Sequence, residues 1–381
     1  MHQQGYTLEE ARSWTTLGCL APHPALHWGA IRRNFWKVFP AKLLELALND
    51  GADPVPYKGK IHQVGLQTGD AAKFTSFEQV FEAFRKQMEW ACRKSTHIRT
   101  LAEYCNNTYV KRPFASCLFH RSLDTCRDVM DCPDKSLPLI NMPGRVNAID
   151  SLISLKKVVF EDKKYNMEEV LKALRANWEG YEEMRRDFIN APKYGNDDDF
   201  ADEVAKQVFT MYADEVDKVK GISGFSRMQN VLVVTWMFSL APVTGALPNG
   251  RKLGDWLADG GVNPLAGYAR NGPMAAVLSA SKSIDYERFS GNVFNQRLSP
   301  PSVAGEAGLR KLQNYIETAM HLGLALIQFN IADSAMLREA QKHPEQYQDL
   351  VVRVAGYNAR FVHLPKFVQD SVIGRTEHAL A

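Results

Sequence analysis

Gly356 closes a short apolar run rich in β-formers, Leu350 to Val354, where no helix needs capping. A glycine in that setting ordinarily makes a tight turn with positive φ. The local sequence leaves open whether its bare α-carbon also does chemistry. Thiols are the other reactive groups: Cys19, Cys92, Cys105, Cys117, Cys126 and Cys132 lie at irregular spacings with no CxxC pair. No spacing among them suits an iron–sulfur cluster or another metal, and a chain this large needs no disulfide staples. Reduced thiols in a cytoplasmic protein are the expectation.

Elements that would carry these residues follow from periodicity. Segments with apolar residues at helical spacing alternate with short β-rich runs, the pattern of an α/β protein. Helices are predicted over Phe77 to Tyr104, Ala148 to Phe160, Met167 to Asn190, Phe200 to Lys218 and Gly308 to Leu322. Strands are predicted over Asn230 to Trp236, Ala275 to Leu278, Ala325 to Asn330 and Leu350 to Val354. Gly- and Pro-rich joints fall at Pro242 to Gly250, Gly260 to Gly272 and Pro300 to Gly305.

The 381 residues allow one large domain or two. A net charge of +3 is too small to point to nucleic acid or an anionic membrane as partner. The polar start, Met1 to Trp14, has no apolar core of a secretory signal. The longest apolar run, Val231 to Val243, is interrupted by Ser239 and Pro242 and is shorter than the ~20 residues that span a bilayer.

Val351-Val352-Arg353-Val354-Ala355-Gly356-Tyr357-Asn358-Ala359-Arg360-Phe361, followed by Gln369 through His378, closely resembles the C-terminal radical loop of glycyl radical enzymes, the pyruvate formate-lyase-like superfamily. Pro248-Asn249-Gly250-Arg251-Lys252, Leu257 through Gly261, Asn271-Gly272-Pro273, Ile327 through Asn330 and His343 through Tyr347 are similar to further segments of that family. The resemblance covers nearly the whole chain. It implies one half of a ten-stranded barrel of parallel strands with helices outside. Residues 1–240 would hold the C-terminal part of the barrel domain with the cysteine loop, and 241–381 the glycine radical domain.

The resemblance also assigns roles. Cys19, in Gly18-Cys19-Leu20-Ala21-Pro22, stands where the family carries its thiyl cysteine, and Gly356 where it stores the radical. The remaining cysteines read as small buried hydrophobes. A carbon radical persists on a backbone when the α-carbon flattens and spin spreads over the flanking amides, and glycine has no side chain to obstruct this. A thiol relays it, because its S–H bond yields hydrogen to the glycyl carbon while the thiyl can still take hydrogen from carbon. Close contact between sulfur and substrate supplies the orientation that this step needs.

Relatives that move a proton beside the thiyl commonly place a Glu two residues after the cysteine; here that position is Ala21. Formate-lyases carry adjacent cysteines, and Cys19 has Gly18 and Leu20 as neighbours. What remains resembles the branch that adds a hydrocarbon, n-alkane or methylarene, to fumarate: the alkylsuccinate and benzylsuccinate synthases. Arg32 or Arg33 would grip a fumarate carboxylate with its planar fork. Gln328, on an apolar strand, would face the substrate or satisfy backbone groups. His23 and His27 would tune polarity near the thiol or be satisfied surface residues. Asp150, Asp259 and Asn271 match the pattern as holders of loops. The alternative is a glycyl radical lyase, decarboxylase or dehydratase whose acid comes from elsewhere. A replacement part for a damaged radical domain is a third reading, and the presence of Cys19 argues against it.

The family's barrel needs a first half ahead of the cysteine loop, so the chain is expected to be partial and inactive alone. An S-adenosylmethionine, iron–sulfur activating enzyme would install the radical. Small accessory subunits and a homodimer of the full-length subunit are further implied partners, in an anaerobic organism.

Overall fold

Val80, Phe84, Met88 and Cys92 recur every fourth residue, which stacks them on one helical face, and each is 0 % exposed. Burying a side chain such as Phe84 contributes about 1.5–3 kcal/mol. This stripe commits the long helix Phe77–Tyr109 to the core, beside the helices Pro40–Leu48 and Asp199–Asp217. The computed structural model describes residues 7–17, 21–24, 36–129, 139–220, 228–231, 236–258, 261–324, 326–354, 356–375 and 377–380.

The described strands are β1 (Trp14–Leu17), β2 (Ala21–Pro24), β3 (Trp36–Lys37), β4 (Ala52–Tyr57), β5 (Lys60–Gln63), β6 (Leu139–Asn141), β7 (Met228–Val231), β8 (Phe289–Asn292), β9 (Phe294–Leu298), β10 (Ile327–Ile331), β11 (Val351–Arg353), β12 (Asn358–Arg360) and β13 (Glu377–His378). Strands β3, β6, β7 and β8 lie side by side in chain order, every pair parallel. Such pairs need crossovers, and helices fill them: Pro40–Leu48 and Phe77–Tyr109 between β3 and β6, Asp199–Asp217 between β6 and β7, Gly272–Ser283 between β7 and β8. A second parallel sheet has the order β10-β9-β13. Only Val293 separates β8 from β9. The predicted α/β class holds.

Alternation sorts the strand residues by face. Val38, Ile140 and Met142 enter the helix-packed core, so Lys37 and Asn141 face away from it. Phe294, Leu298, Ile327 and Phe329 likewise pack on the helix side. Asn295, Arg297, Gln328 and Asn330 therefore share the opposite face, all of them buried. A smaller second core gathers Met237, Leu257, Leu337, Val352, Phe361 and Val372 around the β11–β12 hairpin.

Two predicted elements are corrected. Ala275 to Leu278 is not a strand but part of the helix Gly272–Ser283. Pro273 in its first turn and the alanines that follow favour helix over the β-reading of Val277 and Leu278. Met167 to Asn190 is two helices, Met167–Arg175 and Glu182–Asn190. Between them Asn177, Trp178 and Gly180 take positive φ, turning the indole of Trp178 inward to 0 % exposure with Nε1 donating to the Arg251 carbonyl at 3.1 Å. Of the strand expected over Asn230 to Trp236, Asn230 and Val231 lie in β7 and Trp236 lies in the helix Trp236–Leu240, while 232–235 are outside the described residues. Among the described residues no helix is long and apolar enough to cross a membrane.

Candidate active site

Antiparallel β11 and β12 pair through Arg353 and Asn358, and the turn between them closes with the Val354 N–H donating to the Tyr357 carbonyl at 3.0 Å. Gly356 lies in this turn at φ +80°, a conformation where a Cβ would be strained. The glycine is half-buried. Its N–H donates to Gln328 Oε1 at 2.9 Å.

Gln328 thus spends its amide oxygen on the glycine loop, and Arg353 Nε donates to the same oxygen at 3.3 Å. Gln328 Nε2 is buried without a hydrogen-bond partner among the described residues. One step along β10, Asn330 binds Arg353 reciprocally: Nδ2 donates to its carbonyl at 2.8 Å, and Oδ1 accepts its N–H at 2.7 Å. From the far side Arg375 donates through Nη1 to the Arg353 carbonyl at 2.9 Å and through Nη2 to the Val354 carbonyl. Three side chains, two on β10 and one just beyond the helix Lys366–Gly374, hold four consecutive peptide groups of the loop.

Electrostatics beneath this clamp are set by Arg297. It is 4 % exposed, and its Nη2 donates to Ser334 Oγ at 2.6 Å and to Glu377 Oε2 at 3.2 Å. Burial pushes its pKa down. Burial, then the Arg297 cation, also push the His378 imidazole below its ordinary range, so it is neutral at pH 7. Asn295, Arg297, Arg375 and His378 line a cavity of about 280 Å³, which Gly356 does not line.

Other sequence-predicted residues fall as follows. Cys19, Arg32, Arg33, His27 and Asp259 lie outside the described residues. The strands on either side of Cys19 in sequence are described: β1 and β2 pair antiparallel, Leu17 opposite Ala21. His23 sits opposite Thr15 in that pair. β2 lies against β8, which places the β1–β2 pair beside the strand that continues through Val293 into β9. Asp150 accepts the Tyr194 N–H at 2.9 Å and Asn271 Nδ2 donates to the Asn196 carbonyl at 2.9 Å, both bracing loops. Of the cysteines expected to be buried, Cys92 is, and burial raises its thiol to about 12. Cys105, Cys117 and Cys126 are exposed instead, on or beside the polar end of the long helix and the short helices after it. Sequence reading missed Asn330, Arg353 and Arg375 as loop holders. Their signal was the alternation Gln328, Asn330 along an otherwise apolar strand.

Residues 1–238 match the family described as pyruvate formate lyase-like, and residues 258–362 match that described as glycine radical. The chain is 35 % identical over 377 residues to trans-4-hydroxy-L-proline dehydratase of Clostridioides difficile, covering 98 % of this chain and 47 % of that protein. It is 34 % identical over 387 residues to isethionate sulfite-lyase of Bilophila wadsworthia, covering 98 % and 45 %. The B12-independent glycerol dehydratase of Clostridium butyricum, solved with glycerol bound, superimposes with a TM-score of 0.91 at 32 % identity, over 99 % of this chain and 47 % of that one. The chain spans about half the length of the curated relatives it matches. Matched along most of its length, the chain belongs to the pyruvate formate lyase-like family and carries that family's glycine radical domain.

Proposed function

We propose that this chain is the radical-bearing part of a glycyl radical lyase that expels a leaving group from a small polar substrate. The observation that carries this reading is the strand face turned away from the helices. Lys37, Asn141, Asn295, Arg297, Gln328 and Asn330 all lie on such faces, every one polar. A chamber walled by amides and cations suits a hydroxylated or charged substrate, whereas a hydrocarbon needs apolar walls. The dehydratase and sulfite-lyase among the relatives support the same class.

In this reading Gly356 stores the radical and Cys19 relays it. The glycyl α-carbon takes the hydrogen atom of the Cys19 S–H, leaving a thiyl. That thiyl takes a hydrogen atom from a substrate carbon, the substrate radical expels its neighbouring group, and the product radical recovers hydrogen from the thiol. Gln328 holds the peptide on the N-terminal side of Gly356 and Arg375 the two peptides before it, which would fix the orientation of the amide over which the spin spreads. Gln328 Nε2, unpartnered among the described residues, would donate to substrate. An S-adenosylmethionine, iron–sulfur activating enzyme would install the radical, in a cytoplasmic, anaerobic setting, on a full-length homodimer.

Addition of a hydrocarbon to fumarate is the second reading. Ala21, two residues after Cys19, favours it, because an elimination gains from an acid there and an addition does not. Arg32 or Arg33 would then hold a fumarate carboxylate.

The test uses the full-length protein, activated anaerobically, with trans-4-hydroxy-L-proline, isethionate or glycerol in one series and fumarate plus hexane or toluene in another. Mass spectrometry reads the products. Loss of water or sulfite supports the lyase; a substituted succinate overturns it in favour of addition.

A further inference from the structure

Lys37 and Asn141 are the last residues of β3 and β6 and oppose each other directly in a parallel pair. Aligned residues of parallel strands share a face, and here both face away from the core that receives Val38, Ile140 and Met142. Ligands of parallel α/β sheets gather at the carboxyl ends of the strands, where these two residues stand. Asn141 is 0 % exposed, yet neither its Nδ2 nor its Oδ1 has a hydrogen-bond partner among the described residues. Buried amides are almost always satisfied, so an orphaned one at a strand end asks for a ligand. The Lys37 ammonium lies over the Trp236 ring, and among the described residues no carboxylate pairs with it. Burial lowers its pKa to about 8, which leaves it mostly charged at neutral pH and short of a counter-charge.

We propose that Lys37 and Asn141 form the subsite for the anionic group of a small hydroxylated substrate, a carboxylate or a sulfonate. Lys37 supplies the charge, Asn141 Nδ2 a second donor to the oxyanion, and Asn141 Oδ1 an acceptor for the substrate hydroxyl. This rests on taking the inner strand face as the substrate chamber. It would make the pair, rather than Arg32 or Arg33, the determinant between charged and neutral substrates.

The experiment measures binding to the full-length, unactivated protein by calorimetry, with isethionate, glycolate and ethylene glycol as probes. Isethionate or glycolate is expected to bind about tenfold or more tightly than ethylene glycol, the scale of one charge-assisted hydrogen bond. Lys37→Met should remove that preference while Lys37→Arg keeps most of it. Asn141→Asp, nearly isosteric, should abolish anion binding; circular dichroism checks that each variant is folded. Whichever probe binds more tightly identifies sulfonate or carboxylate as the group. Anion affinity no better than that of ethylene glycol, or unchanged within about twofold in Lys37→Met, overturns the proposal. Turnover by the activated enzyme separates the two readings. Anions bound but never cleaved would sink the lyase and leave the subsite standing; a neutral polyol cleaved without anion binding does the reverse.

Discussion

Asn330 and Arg353 exchange two hydrogen bonds, side-chain amide to backbone peptide, at 2.8 and 2.7 Å. An asparagine used this way imitates another strand, so β10 extends its ladder onto the hairpin that carries Gly356. Asn330→Leu strands the Arg353 N–H, at a cost of about 1–3 kcal/mol, and leaves the Arg353 carbonyl to Arg375 alone. Hydrogen exchange should report faster opening at residues 351–358, with the helices of the main core unaffected. Unchanged protection at Arg353 would mean that the pair contributes nothing to the loop.

Gly356→Ala and Cys19→Ala should part company in spectroscopy. The alanine at position 356 has no α-carbon able to store the radical and is strained at φ +80° by about 1–2 kcal/mol, confined to the turn. Activation of that variant should leave no glycyl doublet in electron paramagnetic resonance. Cys19→Ala should keep the doublet and lose turnover. A doublet surviving in Gly356→Ala would move the radical to another residue.

Arg375→Lys keeps the charge and loses the fork that reaches two successive carbonyls, those of Arg353 and Val354. The expected result is a doublet of reduced lifetime and altered line shape after activation, with thermal stability changed by less than about 1 kcal/mol. An identical spectrum and lifetime would assign Arg375 to packing alone.

Stability should carry a pH signature from Asp202. Burial holds its carboxyl up at about 6, above the ordinary 3.8, with the Lys282 ammonium 4.0 Å away. A raised carboxyl favours the folded state while protonated, below about pH 4, and that support drains away as pH climbs through 6. Asp202→Asn, which stays neutral, should match the parent's melting temperature near acidic pH and exceed it above pH 7. Equal melting temperatures throughout would show that the carboxylate is solvated in the folded protein.

The radical-loop segment and the α/β class were legible because each rests on a pattern of adjacent residues: a long contiguous motif in one case, a 3.6-residue or two-residue period in the other. Phe77 to Tyr104 was read within five residues of its true end because its apolar stripe runs unbroken from Phe77 to Cys92 and no Gly or Pro interrupts the polar turns that follow. Ala275 to Leu278 was misread because four apolar residues in a row have no period, and only the preceding proline distinguishes helix from strand.

Contacts across the fold were not legible in that way. Gln328 could be suspected from a polar residue on an apolar strand, but its choice of the Gly356 N–H depends on where a hairpin 28 residues later comes to rest. Lys37 and Asn141 are separated by over a hundred residues and gain meaning only from strand register. Tyr212, whose hydroxyl donates to the Ile140 carbonyl at 2.6 Å, helps fix that register from the helix side.

The single residue Val293 between β8 and β9 makes the segment from Phe289 to Leu298 a ruler. One end lies against the β1–β2 pair and the other pairs with β10, which grips the glycine hairpin. A residue inserted at Val293 would lengthen the ruler by about 3.3 Å and turn one set of side chains to the other face. The offset between the β1–β2 pair and the glycine hairpin, far apart in sequence, is thus graduated by the length of one strand.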